Sequence, residues 1–209
     1  MYFDYQCPYA WRGAELAATI AKPLDLTFEW HHFSLWQSNY NPKAGDDPNS
    51  KLWEHPLDDA ALAGEQRGGW GLLPFLISIA GSAQDANKEE ALRLAIFRSF
   101  HQDKKPFDLN TLLQLAADVG LDAGKLEQDL NNSEHRQTLA REHQDAKSHH
   151  VFGTPTFHFE SEGEDHLAYL RITQLPDSET EAISLFQDYC KMLTTYPYLQ
   201  TLKRPRPPA

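Results

Sequence analysis

Apolar and polar positions alternate along this chain with two different periods, and the changes of period mark its elements. A short apolar run at Tyr2 to Tyr5 gives way to an Ala- and Leu-rich segment from Ala14 to Ala21 that reads as helix. Pro8 fits the first helical position, where its fixed φ suits and its missing N–H costs nothing. Lys22-Pro23-Leu24-Asp25 closes the turn, and Leu26 to Phe33 alternates with β-branched and aromatic residues as a strand. Strand, helix and strand make a right-handed β-α-β unit. Such a unit sets the N-terminus of its helix at the carboxyl edge of the sheet, where open α/β sheets bind ligands. From Gln37 to Gly71 neither period persists, and Asn, Pro, Asp and Gly predict a long loop with one short helix near Asp58 to Glu65. That loop either borders the carboxyl-edge site or is a partly mobile surface connection.

The next part reads as helical. Asn87, with Glu90 three residues on, signals a helix start, and Ala91 to Phe97 continue it until Pro106 breaks the run. Asp108 opens a helix through Leu109, Leu112, Leu113 and Ala116 that Gly120 ends. Leu121 to Leu130 is a short helix, and Ser133 caps another running to about Ser148. These amphipathic helices with short connections predict a compact helical subdomain. Thr156 to Glu160 and Leu167 to Ile172 then read as a hairpin across a somewhat long loop, Ser161 to Asp165. Ser178 and Glu181 form a capping box for a last helix, with Ile183, Phe186, Tyr189, Cys190 and Leu193 on one stripe. Cys190 on that stripe is expected to be a structural core residue.

Candidate chemistry lies in two stretches. In Tyr2-Phe3-Asp4-Tyr5-Gln6-Cys7-Pro8-Tyr9-Ala10-Trp11-Arg12-Gly13, Cys7 stands where a helix begins. A thiol there faces unpaired N–H groups and the positive end of the helix dipole, which predicts a lowered pKa and a nucleophile; a lone cysteine is equally a small buried hydrophobe. The second stretch, Val151-Phe152-Gly153-Thr154-Pro155-Thr156-Phe157, reads as a turn into a strand. Together the two resemble the halves of a thioredoxin-fold active site, and the long helical separation resembles the DsbA-like branch. That branch includes FrnE-type oxidoreductases and the related 2-hydroxychromene-2-carboxylate isomerases and kappa-class glutathione transferases.

The resemblance implies an α/β thioredoxin fold with a large inserted all-helical subdomain. The chain is then a single domain, with the thioredoxin part at about 1–36 and 151–195, the loop and helical insertion at about 37–150, and a tail at 196–209. It further implies a cis-proline at Pro155 facing Cys7, and a substrate or thiol site formed by Pro8, Tyr9, Ala10, Trp11, Thr154 and Pro155. On the first helical turn, Tyr9 and Ala10 are expected to touch the substrate, while Trp11 reads as a core residue beneath it. Arg12 either meets solvent or holds an anionic substrate. The redox members carry Cys-x-x-Cys, whereas Ala10 occupies the second cysteine position here. Without a partner thiol Cys7 cannot release its own mixed disulfide, so turnover needs an external thiol.

Composition narrows the remaining choices. The 209 residues, 41% of them hydrophobic, suffice for one sizeable core with an insertion. A formal net charge of −11 argues against nucleic acid, since phosphate neutralisation needs clustered Lys and Arg. The one basic cluster, Lys203-Arg204-Pro205-Arg206, lies in a proline-rich tail expected to be extended or disordered. Cys7 and Cys190 make no disulfide framework. The longest apolar run, Leu72 to Ala80, contains a proline and is too short to span a bilayer. The chain opens on a candidate strand without a basic or apolar leader, so a soluble cytoplasmic protein without a membrane partner is expected. Met1 to Tyr5 is a short allotment for a central strand and leaves room for a few residues upstream. The pairs His31-His32 and His149-His150 lack chelating spacing, and no metal is expected. His149 and His150 either face the cysteine or serve the end of the preceding helix.

The leading expectation is a monothiol oxidoreductase: Cys7 attacks a disulfide, and a small thiol resolves the adduct. The alternatives are a glutathione-type thiol-dependent isomerase or transferase, and a redox-inactive thioredoxin-fold binding protein. No cofactor is expected to be tightly bound, glutathione or another low-molecular-weight thiol being the co-substrate beside a disulfide-containing or electrophilic substrate. A homodimer is left open.

Overall fold

A computed structural model describes residues 1–57 and 71–204. The short helix expected near Asp58 to Glu65 and the Pro205 to Pro208 part of the tail lie outside the described residues. Strands β1 (Tyr2–Phe3), β2 (His31–His32), β3 (Thr156–Ser161) and β4 (Glu164–Tyr169) form one sheet in the order β2, β1, β3, β4. β1 runs parallel to β2, with Tyr2 opposite His31, and antiparallel to β3, with Tyr2 opposite Thr156. Continued two steps, the second register sets Thr154 level with Asp4. This is why two motifs so far apart in the chain meet.

The strand expected from Leu26 to Phe33 is reduced to its end, because a strand needs a paired backbone. β1 offers one only as far back as Met1, whose carbonyl accepts from the His31 amide and whose amine donates to the Glu29 carbonyl. The hairpin, by contrast, pairs further than expected. Its turn is only Glu162 and Gly163, both at positive φ (55° and 81°), the two-residue form that matches strand twist.

The described helices are α1 (Pro8–Ala21), α2 (Leu35–Ser38), α3 (Leu72–Gln84), α4 (Ala86–His101), α5 (Leu109–Asp118), α6 (Ala123–Asp129), α7 (Ser133–Ser148) and α8 (Glu179–Thr195), with a 3-10 turn at Leu52–Glu54. Asp108, Asp122 and Ser178 cap α5, α6 and α8 by accepting the Thr111, Lys125 and Glu181 amides. Two expected caps sit one or two residues too late. Asp85 caps α4, accepting the Asn87 and Lys88 amides, and Asn132 caps α7, so Asn87 and Ser133 are already helical.

Helix α3 had no amphipathic signature to find. Leu72 to Gly81 are buried without interruption, so the helix is apolar all round, and Pro74 is tolerated in its first turn. It is the centre of the inserted subdomain, packed on α4, α5, α6 and α7. Phe3 and Tyr5 meet Phe97 and Phe75 of that subdomain at ring distances of 4.9 to 5.8 Å, which joins it to the sheet in one core. α1 lies against α4 and α8, and α8 also covers β4. Among the described residues no helix is long and apolar enough to cross a membrane.

One close approach fixes the site. A Cβ on Gly13 would lie 2.7 and 2.9 Å from the Cγ and Cβ of Pro155, so only glycine lets α1 touch the Pro155 ring directly.

Candidate active site

Cys7 is the N-cap of α1. Its amide donates to the Asp4 carbonyl at 3.0 Å and its carbonyl accepts from Trp11 at 3.1 Å, so the chain folds back sharply between β1 and the helix. The turn carries the sulfur over the start of β3. There the thiol donates to the Thr154 carbonyl at 3.2 Å, beside a Thr154-Pro155 bond that is cis.

The electrostatics differ from the sequence expectation. Cys7 is only 6% exposed and caps no helix amide, and burial pushes its thiol up rather than down. Thr154, the Ala10 amide and Arg171 pull part of the way back, while buried Asp4 adds to the rise. Of these the Thr154 hydroxyl counts most, as a hydrogen-bond donor to the thiolate, its Oγ1 being otherwise buried without a partner. The helix dipole is present, but the cost of an anion in a dry site outweighs it.

The other expected site residues are brought to the same edge with unequal exposure. Pro8 is exposed, and Tyr9 is half-buried beneath the Arg171 guanidinium, whose Nη2 donates to the Tyr9 hydroxyl. Ala10 does not face a substrate as expected. It is fully buried, since three residues on from the N-cap the side chain turns into the core. Trp11 is half-buried, stacked on His101 at 5.6 Å with Nε1 donating to Glu15. Arg12 stands over both Tyr9 and Trp11 and donates to the Pro8 carbonyl. His101 is held down to about 4 by burial, and its Nε2 meets the Tyr5 carbonyl at 2.8 Å, which locks the chain just before Cys7.

Several contributors went unread in the sequence. Asp4 is 1% exposed and accepts the Leu35 and Gln6 amides at 2.7 and 2.8 Å, yet burial pushes it up to about 6. A charge interrupting the apolar run Tyr2 to Tyr5 was its only signal. Arg171 follows the hairpin, and nothing local marks it. His149 ends α7, facing Asp145 and Tyr2, and both His149 and His150 are exposed. Cys190 is half-buried on α8, packed against the core and pushed up to about 11 by burial.

Comparison with known proteins agrees with this geometry. The model of the DSBA-like thioredoxin domain matches residues 76–176, which run from α3 past the hairpin. The chain has a thioredoxin-type fold. An uncharacterised protein of Bacillus subtilis, YwbO, is 25% identical over 185 residues, 75% of this chain and 84% of its own. The cytosolic disulfide reductase DsbM from Pseudomonas aeruginosa superposes with a TM-score of 0.57 at 18% identity, covering 95% of this chain and 98% of its own, and has also been solved with GSH. A 2-hydroxychromene-2-carboxylate isomerase superposes equally well, at 0.57 and 17% identity over 96% of this chain and 98% of its own. At these identities the likeness establishes the thioredoxin-type sheet with its added helical subdomain.

Proposed function

We propose that this protein carries out thiol-disulfide exchange through one nucleophile, Cys7, with a small thiol such as glutathione resolving the mixed disulfide. The observation that supports it is the Cys7 sulfur seated on the Thr154 carbonyl at the carboxyl edge of the sheet, with Ala10 where a second thiol would stand. Cys7 first gives its proton to a solvent base. The thiolate attacks one sulfur of a disulfide, forming a Cys7 mixed disulfide and expelling the other sulfur as thiolate. A second small thiolate then attacks the non-protein sulfur, so that a new small disulfide leaves and Cys7 returns as thiolate. Electrons balance without an added oxidant. Arg12 and Arg171 give the rim positive charge suited to an anionic thiol, Pro8, Tyr9 and Trp11 form its outer wall, and Ala10 fills the core beneath. The DsbM structure with GSH supports the choice of thiol, and the description of DsbM as cytosolic supports a cytoplasmic setting.

The raised, buried thiol favours one other reading, in which Cys7 keeps its proton and donates it to the sulfur of a bound glutathione that does isomerase or transferase chemistry. Incubation with glutathione disulfide separates the two. Exchange chemistry adds one glutathionyl group at Cys7 and none at Cys190, removable by excess thiol, and Cys7→Ser abolishes turnover. Turnover of a small electrophile with glutathione that survives Cys7→Ser overturns the exchange reading.

A further inference from the structure

A cavity of about 770 Å³ opens on the other side of β2 and shares no lining residue with the Cys7 site. β2, α3, the first half of α4 and the first half of α7 enclose it. Phe28, Trp30, Ile79 and Ala83 supply an apolar wall, and its size suits a small organic molecule.

Its floor is a chain of hydrogen bonds drawn from four segments. Glu142 Oε2 meets His32 Nδ1 at 2.7 Å, His32 Nε2 meets Ser78 Oγ at 3.2 Å, and Ser78 Oγ donates to Glu89 Oε1 at 2.5 Å. Glu89 in turn accepts from Arg93 Nη2. The carboxylates of Glu142 and Glu89 are committed to partners within the protein.

What remains uncommitted is sorted by depth. Deep in the cavity it is nitrogen: Arg93, 6% exposed, has an Nε without a partner, and His135, 8% exposed, has an unpartnered Nε2. Arg93 also stands over the Trp30 ring at 4.3 Å, which holds its guanidinium in place. At the mouth it is oxygen. Glu90 on α4 and Glu134 on α7 are exposed and form no ion pair among the described residues, while the neighbouring Arg141 is bonded to Thr138.

We propose that this cavity binds a short zwitterionic peptide of two or three residues with an apolar side chain. Its carboxylate lies on Arg93 with His135 as second donor, its ammonium meets Glu90 and Glu134 at the mouth, and its side chain lies along Phe28, Trp30 and Ile79. A lone carboxylate would meet the rim acids, and a lone amine would meet Arg93. Only a ligand carrying both charges at a distance matches both ends.

The test uses the full chain and the dipeptide alanyl-phenylalanine, with its C-terminal amide and its N-acetyl form, measured by calorimetry near pH 7. The expected result is saturable binding of the dipeptide, weakened about tenfold or more by either modification. Ala83→Trp, which fills the cavity without touching the buried pairs, and Arg93→Gln are each expected to abolish binding, while Cys7→Ser leaves it unchanged. Ala83→Trp keeps the test valid where Arg93→Gln fails to fold. Absence of binding at millimolar dipeptide, equal affinity for all three forms, binding that survives Ala83→Trp, or binding lost in Cys7→Ser would each overturn the proposal.

Discussion

The Cys7 edge and the cavity behind β2 hold their buried carboxylates in opposite ways. At the edge, a thiol rests on a single carbonyl, the adjacent Thr154 hydroxyl has no partner, and Asp4 is held towards its protonated form. Behind β2, Glu142, His32, Ser78, Glu89 and Arg93 form a continuous chain. The buried acid at the edge accepts only backbone amides among the described residues, whereas the buried acid behind β2 has a cation, although the Arg93 Nε and His135 Nε2 beside it stay unpartnered. The two regions should therefore respond differently to the same kind of damage.

The largest response is expected in the cavity. Glu89→Ala strands the buried Arg93 cation and should cost about 3 to 5 kcal/mol in denaturant unfolding, whereas Thr154→Val at the other site should cost far less. Equal losses would erase the contrast.

Asp4 comes next, through pH. Its folded pKa is raised from 3.8 to about 6, so its contribution is fully present below 3.8 and is lost as pH rises through about 6. The loss is about 3 kcal/mol, from about two pK units. His101 and His143, both held down to about 4, act with the opposite sign and withdraw stability as pH falls below 6.5. The comparison of wild type with Asp4→Asn across pH 3 to 8 isolates the Asp4 share. A difference that does not change with pH would show that folding leaves the Asp4 pKa unshifted.

A smaller effect concerns catalysis. Ala10→Cys places a second sulfur one helical turn from Cys7, and reduction of a protein disulfide without added small thiol should rise about tenfold or more. No gain would mean that the buried position of Ala10 keeps the new sulfur from the mixed disulfide. The smallest effect concerns the unpartnered hydroxyl: Thr154→Val should slow alkylation of Cys7 a few-fold at pH 8 to 9, by about 0.5 to 1 kcal/mol of lost thiolate stabilisation.

Sequence pattern made much of the architecture legible and much less of the sites. The α1 start, the caps at Asp108 and Ser178, and the pairing of Cys7 with Thr154-Pro155 could be read because each rests on local chemistry or a paired motif. Helix α3 could not, since burial on every face removes the period that announces a helix. The acidity of Cys7 came out reversed because the dipole is visible in sequence and desolvation is not. The cavity chain was out of reach for the same kind of reason: His32, Ser78, Glu89 and Glu142 are far apart in the chain and become neighbours only once α3, α4 and α7 close over β2.

The bare contact between Gly13 and the Pro155 ring does more than bring two elements together. No side chain separates the helix from the ring, so a substituent at position 13 must lift α1 from Pro155 and carry with it the first turn, which begins at Cys7. Gly13 thus acts as a spacer of zero thickness: it sets how far the sulfur at the head of the helix stands from the start of β3, although it touches neither the thiol nor the Thr154 carbonyl.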